Sequence, residues 1–435
     1  MLITPLLSTF EQTLLGVSGI DTIDPIYRPA EWKPFIGPGV FTQEGDDWKH
    51  SRALLLPLFV SKRVGNFLEV QESVEALIKC IPEGKLVDFQ PMMFSFTLDG
   101  TTYLLFGKAI RSLAGENKEA KAFGEAFRIS QEYVSYRGRL GGSIVVHKWI
   151  DKEIREALKG YSSSWNDADD HELTDYGFLG SLLVDTQDPK VLRDAMLNVL
   201  LAGRDTTGCL LTWTMRLLVK HEKVMSKLRD EVRIVVGVGS DARTPDRNDV
   251  KKMQYLSYIL KEVLRLYPYV PINSRAAIKT TVLPTGGGPD GTAPIFVKKG
   301  TAVGYAVYAM HRRKELYGKD AELFRPERWD PLEEANSIDL KNIGWGYLPF
   351  NGGPRVCIGQ VFALLESSYL IIRLIQNFQS FECDPARPMP EAGQEGQDVT
   401  LVLASRDGCW IRAFAYAAAE KGEGIEGART HAQGS

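Results

Sequence analysis

Apolar positions recur every three to four residues through segments 48–59, 66–78, 121–136, 143–158, 188–221, 222–235 and 257–267, a period that predicts helices there. The fifth opens on Asp188 and Pro189, an N-cap residue followed by proline at the first helical position, which marks a helix start. From residue 195 to 218 that segment is apolar on nearly all sides, with Arg204 and Asp205 near its middle. A charged pair at bilayer depth is expensive, so the stretch reads as a helix buried in a large domain and not as a membrane span.

The texture changes after Pro271. Segments 276–283, 294–297 and 301–308 are short apolar or β-branched runs set apart by Gly286, Gly287, Gly288, Pro289 and Gly291, and they predict strands around a glycine-rich turn. A further strand pair is expected at 400–403 and 409–414, joined by Ser405-Arg406-Asp407-Gly408, in which Asp-Gly is a hairpin signal. The fold class that follows is mainly α with a minor β part. The polar, acidic stretch 162–175 and the Gly, Ala and Glu rich tail from Ala418 to Ser435 read as mobile. No internal repeat is visible.

Composition narrows the function. The 435 residues are 44% hydrophobic and 10% aromatic, enough to bury a large core. A net charge of -3, from 52 basic and 55 acidic residues, gives no electrostatic reason to propose nucleic acid as a partner. The five cysteines (Cys80, Cys209, Cys357, Cys383 and Cys409) are odd in number, far apart and never spaced C-x-x-C. That argues against a disulfide framework and a structural zinc site and fits a reducing compartment. Near the N-terminus, apolar stretches around Leu6, Leu7 and 14–17 are interrupted by Ser8, Glu11, Gln12 and Ser18, so neither a signal peptide nor a spanning segment is read there.

One cysteine stands in a conspicuous setting. Residues 350–359 read Phe350-Asn351-Gly352-Gly353-Pro354-Arg355-Val356-Cys357-Ile358-Gly359, followed by the apolar helical run 360–375. A cysteine at a helix start meets unpaired backbone N–H groups and the positive end of the helix dipole, which favour the thiolate that a metal needs. Gly352, Gly353 and Gly359 suit a tight turn and the close approach of a flat macrocycle. Arg355 is placed to neutralise a carboxylate, and Phe350 to pack beside the sulfur. The plainer alternative is an inert buried cysteine beginning a core helix.

The unbroken arrangement F-x-x-G-x-R-x-C-x-G resembles the cytochrome P450 superfamily, in which this cysteine ligates haem iron. Three further motifs resemble the same family. Glu262 and Arg265 share one helical face and, with Arg328 of Phe324-Arg325-Pro326-Glu327-Arg328-Trp329, match its buried Glu-Arg-Arg scaffold. As an exposed pair, Glu262 and Arg265 would contribute only about 0.3–0.5 kcal/mol. Ala202-Gly203-Arg204-Asp205-Thr206-Thr207 matches A/G-G-x-D/E-T-T/S. There Thr206 either bonds the carbonyl four residues back or, with Gly203, opens a break in the helix where Asp205 and Thr206 relay protons, the reading favoured here. Trp48 and Arg52, one turn apart, match the W-x-x-x-R helix that donates to a haem propionate, and Arg275 matches a third propionate contact. His311 is equally readable as structural or as part of the site.

The resemblance spans about residues 38–412 and implies the cytochrome P450 fold, with haem b between a long central helix and the helix that starts at Cys357. It implies Asp205 and Thr206 as catalytic residues, and Trp48, Arg52, Arg275, Phe350, Arg355, Cys357 and Gly359 as cofactor-binding residues, Cys357 being the metal ligand. It also implies insertion of one oxygen atom from O2 into a C–H bond, with electrons from NADPH through a separate reductase. Lys49, Lys251 and Lys252 read either as a basic face for that reductase or as ordinary solvated lysines. The wording of 45–59, 87–90, 96–100 and 350–353 resembles the fungal group that hydroxylates alkanes and fatty acids, so a long apolar substrate is expected. Val199, Leu200, Ala202, Val270, Ile272 and the Asp407-Gly408 turn are the expected lining. A hydroxylase of a fungal polyketide or terpenoid, an inactive relative, and a haem-thiolate isomerase or dehydratase are the other readings. Only 47 residues precede Trp48, where the family carries a membrane anchor and its first strands. An abbreviated N-terminal segment 1–37, a domain at 38–414 and a disordered tail at 415–435 are therefore expected, as a monomer with peripheral contact to the endoplasmic reticulum membrane or a cytoplasmic location.

Overall fold

The computed structural model describes residues 20–21, 28–60, 68–113, 117–136, 141–164, 176–333, 338, 340–390 and 393–416. Its helices are α1 (Arg28–Ile36), α2 (Gly45–Val60), α3 (Leu68–Cys80), α4 (Phe89–Phe106), α5 (Lys118–Tyr136), α6 (Gly141–Ser164), α7 (Gly177–Leu183), α8 (Pro189–Lys220), α9 (Glu222–Val236), α10 (Arg247–Lys252), α11 (Gln254–Leu266), α12 (Val307–Met310), α13 (Lys314–Tyr317) and α14 (Gln360–Asn377). The strands are β1 (Ile20–Asp21), β2 (Val87–Asp88), β3 (Ile272–Ala277), β4 (Thr281–Gly287), β5 (Ala293–Val297), β6 (Ala302–Ala306), β7 (Phe378–Cys383), β8 (Gln397–Val399), β9 (Leu403–Ser405) and β10 (Trp410–Ala415). Most of the predicted mobile stretches, 165–175 and 417–435, and residues 1–19 lie outside the described residues.

All seven periodic segments are helical. The central one, α8, starts as its cap chemistry requires: the Asp188 carboxylate accepts the Lys190 N–H at 2.8 Å and Pro189 follows. Its first half, through Leu201, is built into one hydrophobic core with α1, α5, α6 and α7, while its second half, from Cys209, enters another with α3, α9, α11 and α14. Residues 202–208 therefore occupy the seam between two cores. The partner that runs along α8 is α4, which the periodicity does not reveal. It is buried on nearly every side, so it has no polar face to create a period. Its ends are nonetheless marked, by Asp88 accepting the Gln90 N–H and by Gly107 closing the helix at φ 71°.

The sheets correct three expectations. The run 276–283 is two strands, because the Ala277 N–H donates to Thr301 and its carbonyl accepts from Gly300, pinning a break before β4. The run 301–308 stops at Ala306 and turns into α12. The Asp-Gly turn joins no hairpin: β9 pairs with β8, whereas β10 pairs with β2 and β7. Asp407 instead accepts the Gly396 N–H at 2.7 Å, and the Cys409 N–H donates to Asp88 at 2.7 Å, so the turn hands the chain from one sheet to another. The glycine-rich turn between β4 and β5 is as expected.

The wholly buried Glu262 carboxylate accepts from Arg265 Nε and Nη2 at 2.9 and 2.8 Å, Arg328 Nε at 3.2 Å, Trp329 Nε1 at 2.9 Å and the Arg325 N–H at 3.1 Å. Burial alone would raise its pKa, but Arg265 and then Arg328 hold it below the usual value. Arg265 also donates to the carbonyls of His311 and Ala321, and Arg328 to Tyr317 and to Asp320, so the pair organises the irregular segment 311–329. His311 is structural. Its Nε2 accepts the Leu348 N–H at 2.8 Å, and burial, with Arg265 adding to it, pushes its pKa down to about 3.

A second buried carboxyl has a different environment. Glu366 of α14 faces Gly100 of α4, where a Cβ would come within 2.4 Å of its Oε1, and neither oxygen has a hydrogen-bond partner. Burial pushes its pKa from 4.5 up to about 8.

Two measurements follow. Glu262→Gln leaves the buried Arg265 guanidinium without its counter-charge and Arg328 with Asp320 alone, and is expected to lower unfolding free energy by about 3–5 kcal/mol in urea titrations. For Glu366 the folded pKa is raised, so its contribution is full below about pH 4.5 and is lost as pH rises through about 8. Glu366→Gln should flatten the decline of stability across that window; parallel pH profiles for the two proteins would refute the assignment.

Candidate functional site

The loop before α14 is shaped by a backbone closure: the Cys357 N–H donates to the Phe350 carbonyl at 3.0 Å and Val356 to Gly353 at 3.1 Å. Asn351 at φ 63° and Gly353 at φ 68° supply the left-handed turn residues. Gly352 is a packing glycine, since a Cβ there would come within 2.3 Å of the Trp345 ring. Gly359 has an ordinary negative φ, and an added Cβ would meet only van der Waals contacts to Phe59 and the Cys357 sulfur, so the protein itself does not demand glycine there.

The Cys357 side chain is accessible, although protein atoms crowd it enough for burial to dominate its titration. Burial pushes the thiol pKa up; the N–H of Gly359, the Arg52 guanidinium and the N–H of Gln360 pull it down without prevailing. The helix start thus acts in the expected direction, toward the thiolate, and burial opposes it. Among the described residues no group of three or more His, Cys, Asp or Glu side chains could hold a metal, so an ion here would take one protein thiol and obtain its other ligands from a cofactor.

Cationic groups gather beside the sulfur. The Arg355 guanidinium lies 3.9 Å from the centroid of the Trp48 ring and Arg52 lies 5.8 Å from it, so the indole stands with both. Arg355 also donates to the carbonyls of Val40 and Gln43 at 3.1 and 3.3 Å, stitching the cysteine loop to the chain before α2. Arg275, buried on β3, lies 5.3 Å from the Tyr305 ring centroid, and the Tyr305 hydroxyl donates to Asn351 at 2.9 Å. Phe350 is buried and packs edge-on against Tyr269, whose phenol is pushed up in pKa by burial and next by the nearby Cys357. Four predicted residues, Trp48, Arg52, Arg355 and Cys357, thus converge directly, and Arg275 joins them through Tyr305 and Asn351.

On α8 the Thr206 hydroxyl donates to the Ala202 carbonyl at 2.6 Å, and the helix runs unbroken from Pro189 to Lys220. The expected local break is absent: Gly203 is spent on packing, since a Cβ there would come within 2.7 Å of the Thr101 hydroxyl oxygen. Asp205 forms an ion pair with Arg204 at 2.9 Å, whose guanidinium lies 5.6 Å from the ring centroids of both Phe94 and Phe127. The expected lining residues differ in exposure. Leu200 is fully buried in a core, Ile272 is 62% exposed at the start of β3, and Gly408 sits against Asp88 and accepts from Arg216. Lys49 is an exposed partner of Asp46, and Lys252 pairs with Asp249.

Sequence reasoning missed the groups that hold this arrangement in register. Asn198 of α8 donates to Ile36 and accepts the Phe41 N–H, while Gly39 packs on its amide and Gly37 on Asp194. A polar residue inside an otherwise apolar helix must find partners, and that was the available signal.

A family model described as Cytochrome P450 matches residues 24–405. A protein named Cytochrome P450 from Arthroderma benhamiae is 50% identical over 421 residues, covering 93% of this chain and 83% of its own length. Cytochrome P450 52A13 of Debaryomyces hansenii is 39% identical, covering 88% and 76%, and Cytochrome P450 52A5 of Candida maltosa is 40% identical, covering 88% and 79%. Among solved structures, the haem domain of cytochrome P450DA superposes with a TM-score of 0.76 at 22% identity, over 94% of this chain and 85% of that one. That likeness is one of fold.

Proposed function

Since this chain belongs to the cytochrome P450 family and is a haem b monooxygenase served by O2 and a redox partner, we propose that it hydroxylates a long apolar substrate of fatty-acid or alkane type. The observation that carries the site assignment is the meeting of an accessible thiol with two guanidinium groups and an indole at the start of α14. This donor set fits a flat, iron-bearing, carboxylate-bearing group: Cys357 would hold the iron, and Trp48, Arg52, Arg275 and Arg355 would bind the propionates. When bound, thiolate-ligated haem supplies activation of O2 toward C–H bonds, with electrons from NADPH through a separate reductase.

The chain's own residues then have assignable tasks. Asp205 carries a proton and Thr206 Oγ passes it on, once the hydroxyl gives up its bond to Ala202. Arg204 holds the Asp205 carboxylate in place until then. We place the alkyl chain beside residues 202–208, where apolar residues of the two cores adjoin the polar stretch of α8. The fatty-acid reading rests on the resemblance of segments 45–59, 87–90, 96–100 and 350–353 to the alkane and fatty-acid hydroxylating group. We place the protein at the endoplasmic reticulum surface; among the described residues no helix is long and apolar enough to cross a membrane.

The reduced, carbon monoxide-bound absorption spectrum tests the ligand: the wild type should show the thiolate-type band and Cys357→Ala should lack it. Binding spectra across a saturated fatty-acid series test the substrate. A shift that strengthens with chain length is expected, and no shift at any length would eliminate the lipid reading.

A further inference from the structure

Helix α4 meets the 202–208 stretch of α8 with two threonines one turn apart, Thr97 and Thr101, neither of which has a task in the proton relay above. Elsewhere on these two helices Thr102, Thr206, Thr212 and Thr214 bond the carbonyl four residues back, at 2.9, 2.6, 2.7 and 2.7 Å. Thr97 departs from that habit. Its hydroxyl has one proton to give, and although the carbonyls of Met93 and Phe94 lie at 3.0 and 3.2 Å, the closest acceptor is the Arg204 carbonyl of α8 at 2.7 Å.

In an α-helix the carbonyl of residue 204 also serves the N–H of residue 208, so Thr97 competes for a rung of the ladder at the turn that carries Asp205 and Thr206. The Arg204 guanidinium lies 5.6 Å from the Phe94 ring centroid and holds Asp205 at 2.9 Å. Helix α4 therefore grips Arg204 at its backbone and at its head. Thr101 repeats the placement without a bond. It is 1% exposed, its hydroxyl has no hydrogen-bond partner, and it sits against Gly203, within 2.7 Å of where a Cβ would stand. A buried hydroxyl left unbonded is destabilising, so a partner is expected in some other state of the protein. The backbone it faces belongs to the turn that must loosen before Thr206 can leave Ala202.

We propose that Thr97 and Thr101 are positioning residues for proton delivery, a role that rests on the relay assigned above to Asp205 and Thr206. Thr97 weakens the 204–208 rung of α8, and Thr101 receives the backbone of the Gly203 turn when Thr206 releases Ala202. The turn then opens with its carbonyls bonded and Asp205 still aligned. Both threonines act through the α8 backbone and not on the reacting atoms.

Hydrogen–deuterium exchange of the holoenzyme, read by mass spectrometry on peptides spanning 203–210, tests the opening without any substrate and decides alone. Thr97→Val and Thr101→Val keep the side-chain shape and remove the hydroxyl. Each is expected to slow exchange there about fivefold, the worth of one hydrogen bond, and Thr97→Ser and Thr101→Ser to restore the wild-type rate. Thr97→Ala and Thr101→Ala, measured alongside, lose the hydroxyl without gaining a methyl group and should also slow it. A role in packing alone predicts the opposite sign, and faster or unchanged exchange overturns the proposal. In NADPH-driven turnover of dodecanoate with a reductase supplied, the valine variants should yield several-fold less product per NADPH and more hydrogen peroxide. Asp205→Asn and Thr206→Val separate two failures. If they leave product per NADPH unchanged, the relay falls and this role with it; if they lower it and the α4 variants do not, the role of α4 alone is refuted.

Discussion

A carboxylate buried without water has to be balanced by charge or driven neutral, and Glu262 is balanced. Its two arginines come from different stretches, Arg265 one turn along α11 and Arg328 far downstream; Arg265 spends its remaining N–H groups on backbone carbonyls between His311 and Leu323, and Arg328 on carbonyls of the same segment and on the Asp320 carboxylate. The chain between α12 and the cysteine loop has little regular structure of its own, so these bonds substitute for a helix or sheet ladder. His311 continues the arrangement by accepting from Leu348, two residues before Phe350. The position of Cys357 is inherited from that carboxylate.

The second organising constraint is α8. Because it feeds one core with its first half and another with its second, any polar chemistry it carries can be placed only where the two cores part. Ala202 to Thr207 lies there. The cysteine loop has the same division: Phe350 belongs to one core, and Ile358 and Phe362 to the other. Both elements are apolar where they must pack and polar where the packing divides.

Much of this was legible in the sequence. Amphipathic helices announce themselves by period, and the cysteine motif by its spacing. What escaped did so for physical reasons. A helix such as α4, enclosed on all sides, carries no stripe, and its boundaries were readable only from Asp88 and Gly107. Asp407-Gly408 has the local chemistry of a hairpin, but tertiary bonds to Gly396 and Asp88 claim it first. At Cys357 the helix-terminus argument was sound in sign, yet burial outweighed it, and burial is a property of the assembled fold. At Thr206 the local hydrogen bond to Ala202 prevailed over the break that the motif implies.

The stitch between Arg355 and Val40 joins residues 315 positions apart, and Gln90 reaches Ser405 across the same interval. Contacts so remote in sequence form late, because the chain between them must be ordered before they return any stabilisation. During synthesis α2, with its indole and guanidinium ready, waits for most of the polypeptide to emerge before the cysteine loop can reach it. Residues of the site nearest the N-terminus are thus made first and completed last, a long interval in which the half-built pocket depends on protection from aggregation.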